Sequence, residues 1–345
     1  MVGIVLSAYA IPQVLLRIPT GILSDRLGRR KFLVAGGIIF TSLGAFGLGI
    51  SATPWLLFFS RMITGIGASS WVVIPLYFSA YYPESDSGKA IGLNNFVRNL
   101  ALITATASGG FVAEAFGLNS PFFMAALLGV LALIALMLTR ESPISRIPAR
   151  TWTSTLSIAS RPLLLLVSLM SILLYFSTFT GVFGFIPIYA AEIGASTSQL
   201  GLITMINLGA GAVGTLAAVW TWRRLGYRST IVWSALLIAA SMFAIPYTAT
   251  VPVLMIVQVI GGLGSGVLST LFMVLSIRGL PQQQQATAMG IYQAIYAIGM
   301  LAGPLISGIM GANMGLSTIF YLSAALVVPI AILAFIPIIP KDARG

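Results

Sequence analysis

The sequence predicts an all-α membrane protein made of two pseudo-symmetric helical bundles. Three observations lead to this prediction. The 345 residues are 58% hydrophobic and only 7% charged, whereas a soluble domain carries about 25% charged residues. Long apolar stretches recur along the chain, and its second half repeats the first at an offset of 198 residues. Such a composition cannot cover a water-facing surface with polar groups.

Eleven apolar stretches are long enough to cross a bilayer, which takes about 20 residues. Because lipid offers the backbone no hydrogen-bond partners, each stretch is predicted to be a helix. The predicted spans are 2–24, 32–50, 54–80, 88–113, 119–139, 162–190, 198–221, 229–247, 251–277, 284–310 and 315–338. The one sizeable hydrophilic connector, 140–161, is predicted to be a linker between an N-terminal bundle, 1–139, and a C-terminal bundle, 162–345.

The basic residues predict how the chain lies in the membrane. Of the 18 Lys and Arg residues, 15 fall in every second gap between the apolar stretches, and the other gaps contain none. Cytoplasmic loops retain Lys and Arg. We therefore expect a multi-pass protein of the cytoplasmic (inner) membrane with a cytoplasmic C-terminus. The net charge of +11 then reflects these loops and does not indicate nucleic acid as a partner.

The internal repeat predicts parallel bundles and a twelfth helix. At the 198-residue offset Arg26-Leu-Gly28 falls on Arg224-Leu-Gly226, Gly110 on Gly308, and Phe122 on Phe320. Parallel repeats of this kind are typical of two bundles related by an axis along the membrane normal. The second half has six predicted spans and the first has five. We therefore expect a native protein of twelve helices whose first helix is absent from this chain.

A charged loop after the first span carries a family resemblance. The segment Gly21-Ile-Leu-Ser-Asp25-Arg26-Leu-Gly28-Arg29-Arg30-Lys31 resembles the signature loop of the major facilitator superfamily, MFS, between its second and third helices. Arg61-Met-Ile-Thr-Gly65-Ile-Gly67 resembles the helix-four pattern of that family. The resemblance covers all eleven spans. It implies the MFS fold and a transporter that opens a midplane site to each side of the membrane in turn.

The same resemblance implies a gating role for part of the charged loop. The gating residues would be Gly21, Asp25, Arg26, Gly28, Arg29 and Arg30. In this interpretation the carboxylate of Asp25 pairs with Arg29, faces the positive N-terminal end of a second-half helix, and holds the cytoplasmic side closed. The alternative is a solvated loop whose ion pairs contribute little.

Three arginines inside apolar stretches are the first candidate substrate contacts. These are Arg17, Arg61 and Arg98. Inserting an arginine into lipid costs free energy, so arginines within spans usually face a cavity. Arg98 lies about 15 Å along its helix, close to Asn94 and Asn95, and is predicted to line the cavity. Arg17 lies closer to the cytoplasm and is expected to snorkel partly towards it. The alternative for each is a structural polar contact between helices.

The second half offers neutral partners for these cations. By the repeat, Arg61 corresponds to Gln258 and Arg98 to Tyr296. The predicted substrate contacts of the second half are therefore Gln258, Tyr292 and Tyr296, with Tyr175, Asn207 and Gln293 as further polar candidates. Aromatic residues in a bundle also serve as plain packing, and that interpretation stays open for each of them.

The absence of acids from the depth of the spans shapes the functional prediction. The seven Asp and Glu residues lie in loops or at helix ends, and the chain has no His or Cys. No metal site, cofactor or catalytic set is predicted, so the chain is not expected to be an enzyme. A membrane-embedded enzyme is a remote alternative, and a receptor would need a soluble output domain.

We expect a secondary active or facilitative transporter, a monomer in the lipid bilayer, that moves a small solute. Three intramembrane cations facing no intramembrane acid favour a small organic anion. The alternative is efflux of multidrug-type amphipathic compounds by proton antiport. Antiporters of this family carry a GxxxGP pattern in helix five. Here the pattern occurs at Gly299–Pro304, in the span 284–310, which is the eleventh helix when the missing first helix is counted. This position weakens the alternative. A proton-coupling acid would have to lie in the missing helix.

Overall fold

The computed structural model describes residues 1–27, 29–82, 87–141, 157–280 and 282–340, and within them the fold is all-helical. The first half contains α1 (Val2–Ala8), α2 (Ala10–Leu27), α3 (Arg30–Gly49), α4 (Pro54–Ala68), α5 (Ile74–Ser79), α6 (Ser87–Phe116) and α7 (Ser120–Leu138). The second half contains α8 (Pro162–Thr180), α9 (Ile186–Glu192), α10 (Thr197–Ala244), α11 (Val251–Ile277), α12 (Gln282–Met314) and α13 (Leu316–Leu333). The largest apolar core lies in the second half, around Phe272 and Phe320.

The membrane-spanning segments agree with the predicted spans. Ten stretches of the described chain are long and apolar enough to cross a bilayer. One of them, Thr197–Tyr247, is 51 residues long and bends at Gly226. Gly226 has φ 79° and ψ 166°, a conformation that only glycine adopts at little cost. This bend divides the stretch into the seventh and eighth of the eleven predicted spans. Most of the predicted linker, 142–156, lies outside the described residues.

Two predicted spans are interrupted near a proline. The third span changes from α4 to a 3₁₀ turn over Ser69–Val72 before α5 continues it. The sixth span contains a π-helical turn over Gly181–Phe185 between α8 and α9. Pro75 and Pro187 lie in the first turn of the helices that follow these turns. Since proline has no N–H, it fits the first turn of a helix and disrupts the turn before it.

Basic side chains cap helix C-termini at one end of both halves. Each reaches a backbone carbonyl in the last turn of a helix or in the segment that follows it. The Arg30 Nη1 atom donates to Leu76 at 3.0 Å, Lys31 Nζ to Thr139 at 2.6 Å, Arg161 Nη1 to Gly279 at 3.0 Å, and Arg228 Nε and Nη2 to Ile339 at 2.9 Å each. A cation at this position also interacts favourably with the helix dipole. We call this the basic end of the molecule.

The hydrogen bonds of Arg228 predict that replacing this residue lowers the stability of the protein. Replacing Arg228 by glutamine removes a two-pronged charged contact to the segment after α13, worth about 1–2 kcal/mol. We expect Tm of the purified protein to fall by about 2–4 °C. Arg223→Gln is the matched control, because it removes the same charge from an exposed side chain nearby. Equal Tm values for the two variants would show that only net charge matters at this end.

Near the end opposite the basic end, the two halves pack directly on each other at two places, which we call seams. In the first seam, Gly3 contacts Pro304 and Gly308 of α12, and Ser7 Oγ donates to the Leu301 carbonyl at 2.9 Å. Gly3 and Gly308 have no side chains, so the backbones of the two halves can touch here.

The second seam joins α6 to α10. A methyl group on Gly201 would lie 2.5 Å from the Thr106 carbonyl oxygen, and one on Gly110 would lie 3.0 Å from the Ser198 carbonyl oxygen. Beside them, Glu114 Oε2 accepts a hydrogen bond of 2.7 Å from the backbone N–H of Ser198. A carboxylate at a helix N-terminus is stabilised by its unpaired N–H groups. At this end the two halves are therefore in direct backbone contact.

Candidate anion site between the two halves

A polar stripe along α2 and the residue before it forms the first wall of the candidate site. Tyr9, Gln13 and Arg17 follow one another at four-residue spacing, which places them on the same helix face. Gln13 Nε2 donates to the Tyr9 carbonyl at 3.1 Å, and Arg17 Nη2 donates to Gln13 Oε1 at 2.6 Å. Gln13 is 1% exposed and Arg17 is 6% exposed. Both side chains are thus withdrawn from lipid and solvent.

Arg17 reaches across to the second half. Its Nη1 atom donates to the backbone carbonyl of Gln293 at 3.2 Å, and its Cζ atom lies 5.4 Å from the ring centroid of Tyr296. Its Nε atom is buried and has no hydrogen-bond partner among the described residues. The side chain therefore points into the interface between the halves, and the predicted snorkelling towards the basic end does not occur.

Arg61 approaches the same stripe because of a glycine one turn later. Gly65 has no side chain, so its Cα atom packs directly on the backbone of Tyr9. Arg61 precedes Gly65 by four residues and therefore lies on the same face of α4. Its Cζ atom is 5.9 Å from the Tyr9 ring centroid, and its buried Nε atom has no partner among the described residues.

The second wall is aromatic and comes from α8 and α12. Gly299 packs on the backbone of Ile172 and lets the two helices approach. This contact brings the rings of Tyr175 and Tyr296 into a stack, with centroids 4.0 Å apart and planes at 13°. Tyr292 meets Tyr296 edge-on at 5.3 Å, and its hydroxyl accepts a hydrogen bond of 3.0 Å from Ser171. Tyr292 is 2% exposed, so it supports the wall from behind.

Arg98 lies on α6 beside Trp71. The Arg98 Cζ atom is 5.0 Å from the Trp71 ring centroid, and Nη2 is 3.3 Å from Asn99 Oδ1. Its side chain is exposed, and the Nδ2 atom of Asn94, one turn earlier, is buried without a partner in the described chain. The structure thus places Arg98 against Trp71 and Asn99, and no described contact joins it to Arg17 or Arg61.

Gln258 belongs to a separate polar pair inside the second half. Asn207 Nδ2 donates to the backbone carbonyl of Gln258 at 3.2 Å and to its Oε1 atom at 3.0 Å. Gln258 is 1% exposed and Asn207 4%. This pair holds α10 against α11, and no described contact joins it to the arginines. The side chain of Asn95 lies outside the described part of the chain.

The gating loop is only partly described. Gly21 lies in α2 and Arg29 precedes α3, where its side chain is exposed. Arg30 is mostly buried and holds the end of α5 through Leu76. Gly28 and the side chains of Asp25 and Arg26 lie outside the described part. The latch is therefore untested by this structure.

The cluster combines guanidinium groups with aromatic rings. Each of the three intramembrane arginines lies over an aromatic ring, at 5.0–5.9 Å, and the sequence places no acid deep in a span. A ring quadrupole holds a guanidinium in place but is a weaker partner than a carboxylate. The described residues contain no grouping of three or more His, Cys, Asp or Glu side chains suited to a metal.

Sequence reasoning did not single out three residues of this cluster. Tyr9 and Gln13 precede Arg17 by eight and four residues, so a search for one helix face would have found them. Trp71 gave no such signal, because its proximity to Arg98 depends on how α6 lies against the turn after α4.

Comparison with known proteins agrees with this fold. Residues 1–192 and 167–345 match the Major Facilitator Superfamily, so the chain belongs to that family. It is a multi-pass secondary transporter of a small molecule, and its family consists of transporters, not enzymes, as the sequence predicted.

Among its relatives is an uncharacterized MFS-type transporter of Methanocaldococcus jannaschii, 22% identical over 98% of this chain and 89% of the relative. Another is the multi-drug resistance efflux pump PmrA of Streptococcus pneumoniae, 23% identical over 92% of this chain and 81% of the relative. The crystal structure of a D-xylose-proton symporter superposes with a TM-score of 0.78 at 18% identity, covering 99% of this chain and 88% of that one. The predicted fold is thereby confirmed.

Proposed function

We propose that this transporter moves a small organic anion through the site between its two halves by alternating access. The observation that carries the proposal is the burial of the Arg17 side chain without an acidic partner among the described residues. It is 6% exposed, and among the described residues it donates to two neutral acceptors while its Nε atom has no partner. A buried charge without a counterion is costly, and a substrate carboxylate or phosphate would offset that cost with a charge-assisted pair.

Arg61 and Arg98 support the same proposal. Both lie over aromatic rings, and Arg61 Nε is another buried donor without a partner in the described chain. We place the basic end of the molecule in the cytoplasm, following the retention of Lys and Arg in cytoplasmic loops. The loop from Gly21 to Arg30 would then act as the cytoplasmic latch.

The second candidate function is efflux of amphipathic drug-like compounds by proton antiport. The relative PmrA is named as a multi-drug resistance efflux pump, and rings of the aromatic wall suit apolar ligands. Against this candidate, the arginine cluster would leave buried positive charge beside a neutral or cationic ligand.

Binding to the purified protein separates the two candidates. We expect organic anions to raise Tm, while neutral and cationic drugs have little effect. Arg98→Gln should weaken anion binding about tenfold, since it removes one charged contact near the site. Arg98→Lys should weaken it less, because lysine keeps the charge but loses the planar fork. Binding of drugs alone, unchanged by Arg98→Gln, would favour efflux and contradict the anion proposal.

A further inference from the structure

The aromatic wall lies directly beside the arginine stripe, since Arg17 packs over Tyr296. Tyr175, Phe179 and Phe183 follow at four-residue spacing, with ring centroids 6.5 Å and then 5.2 Å apart. Tyr296 stacks on Tyr175, and Tyr292 supports Tyr296 with its edge. The stacked rings of Tyr175 and Tyr296 thus adjoin the stripe that holds Gln13 and Arg17. Such a site has separate places for the body of a ligand and for its charge.

The guanidinium of Arg17 lies over one face of the Tyr296 ring in this structure. Its Cζ atom is 5.4 Å from the ring centroid, and its Nε atom has no partner among the described residues. A cation–π contact is worth less than a two-pronged pair with a carboxylate away from water. An acid group would therefore draw the guanidinium from the ring, leaving a ring face for the rest of the ligand.

We propose that the transported anion carries a flat aromatic ring, which stacks on Tyr296 while its acid group pairs with Arg17. This inference rests on the proposed function and narrows its substrate class. Stacked rings gain about two- to tenfold in affinity beyond the area that they bury. A saturated ring of similar size fills the volume but has no quadrupole to match that of Tyr296.

A pair of ligands with one carboxylate each tests the inference. Affinities of purified protein for 2-naphthoate and for its fully saturated analogue, decahydro-2-naphthoate, are measured by calorimetry. We expect wild type to bind 2-naphthoate about three- to tenfold more tightly. Tyr296→Leu should remove this preference and leave the affinity for the saturated acid within about twofold. Phe243→Leu, which alters an aromatic cluster with Tyr247 and Tyr321 outside the site, should retain the preference.

Two results would overturn the inference while leaving the anion proposal in place. One is equal affinity of wild type for both acids. The other is an equal loss for both acids in Tyr296→Leu, which would show that Tyr296 only positions Arg17. Should neither acid nor any other organic anion bind wild type, the proposed function itself would be wrong, and this inference would fail with it.

Discussion

Replacing Arg17 by glutamine is expected to reduce the affinity for organic anions by about 100-fold or more. The guanidinium offers two N–H groups to a carboxylate in a site away from water, and each charged contact is worth about 1.5–3 kcal/mol. Losing about 3 kcal/mol corresponds to a factor of about 100 in Kd. Arg17→Lys keeps the charge without the fork, so it should lose about tenfold. Calorimetry with the anions that stabilise wild type measures both.

Stability provides an independent test of the role of Arg17. A buried guanidinium with incomplete hydrogen bonding is costly in the ligand-free protein. We therefore expect Tm of ligand-free Arg17→Gln to equal or exceed that of wild type. A purely structural arginine would give the reverse, a lower Tm with unchanged ligand affinity.

Arg224→Gln is the matched control for Arg17→Gln. Arg224 also lies over an aromatic ring, with its Cζ atom 4.5 Å from the centroid of Trp220, but on the exposed surface near the basic end. Its removal changes charge and a cation–π contact without touching the site. Anion affinity should stay within about twofold of wild type. If both variants lost affinity equally, the effect would come from net charge and the assignment of Arg17 would be wrong.

The second large effect is expected from overfilling the seam between α6 and α10. A leucine at Gly110 would force its side chain against the backbone of Thr197 and Ser198. Overpacking of this kind costs about 1–3 kcal/mol, which shifts the population of the closed state by about 5- to 150-fold. Since alternating access requires this end to close, transport should fall by a similar factor. Anion affinity should change much less, because Gly110 contacts none of the arginines.

The neighbouring glycine supplies the control. A methyl group on Gly109 would meet no atom within 4 Å, so Gly109→Leu should transport nearly as well as wild type. Both variants are compared by uptake into proteoliposomes and by labelling of a single cysteine placed at Ser198. Labelling should rise in Gly110→Leu alone. Equal transport by both variants would show that this seam does not need to close during the cycle.

Local composition and a few motifs were enough to predict the membrane fold and the family. Hydrocarbon thickness and the absence of water act on each segment separately, so a span is visible in local composition. Predicted span 119–139 became α7 at Ser120–Leu138 for this reason. The repeat and the charged loop from Gly21 to Lys31 were also sufficient for the family. Because arginine is rare in lipid, its occurrence within apolar stretches was enough to mark Arg17, Arg61 and Arg98 as candidates.

The surroundings of each candidate residue could not be predicted from the sequence, because they depend on how the helices pack. Which rings meet the arginines depends on the rotation and axial shift of packed helices, and these are set by glycine contacts such as Gly65 on Tyr9 and Gly299 on Ile172. Gln258 is a second example. The sequence predicted it as a substrate contact because it matches Arg61 in the repeat, but in the structure it is hydrogen-bonded to Asn207 inside the second half. Local composition fixes which segments cross the membrane, whereas partners across an interface follow from contacts between residues far apart in the chain.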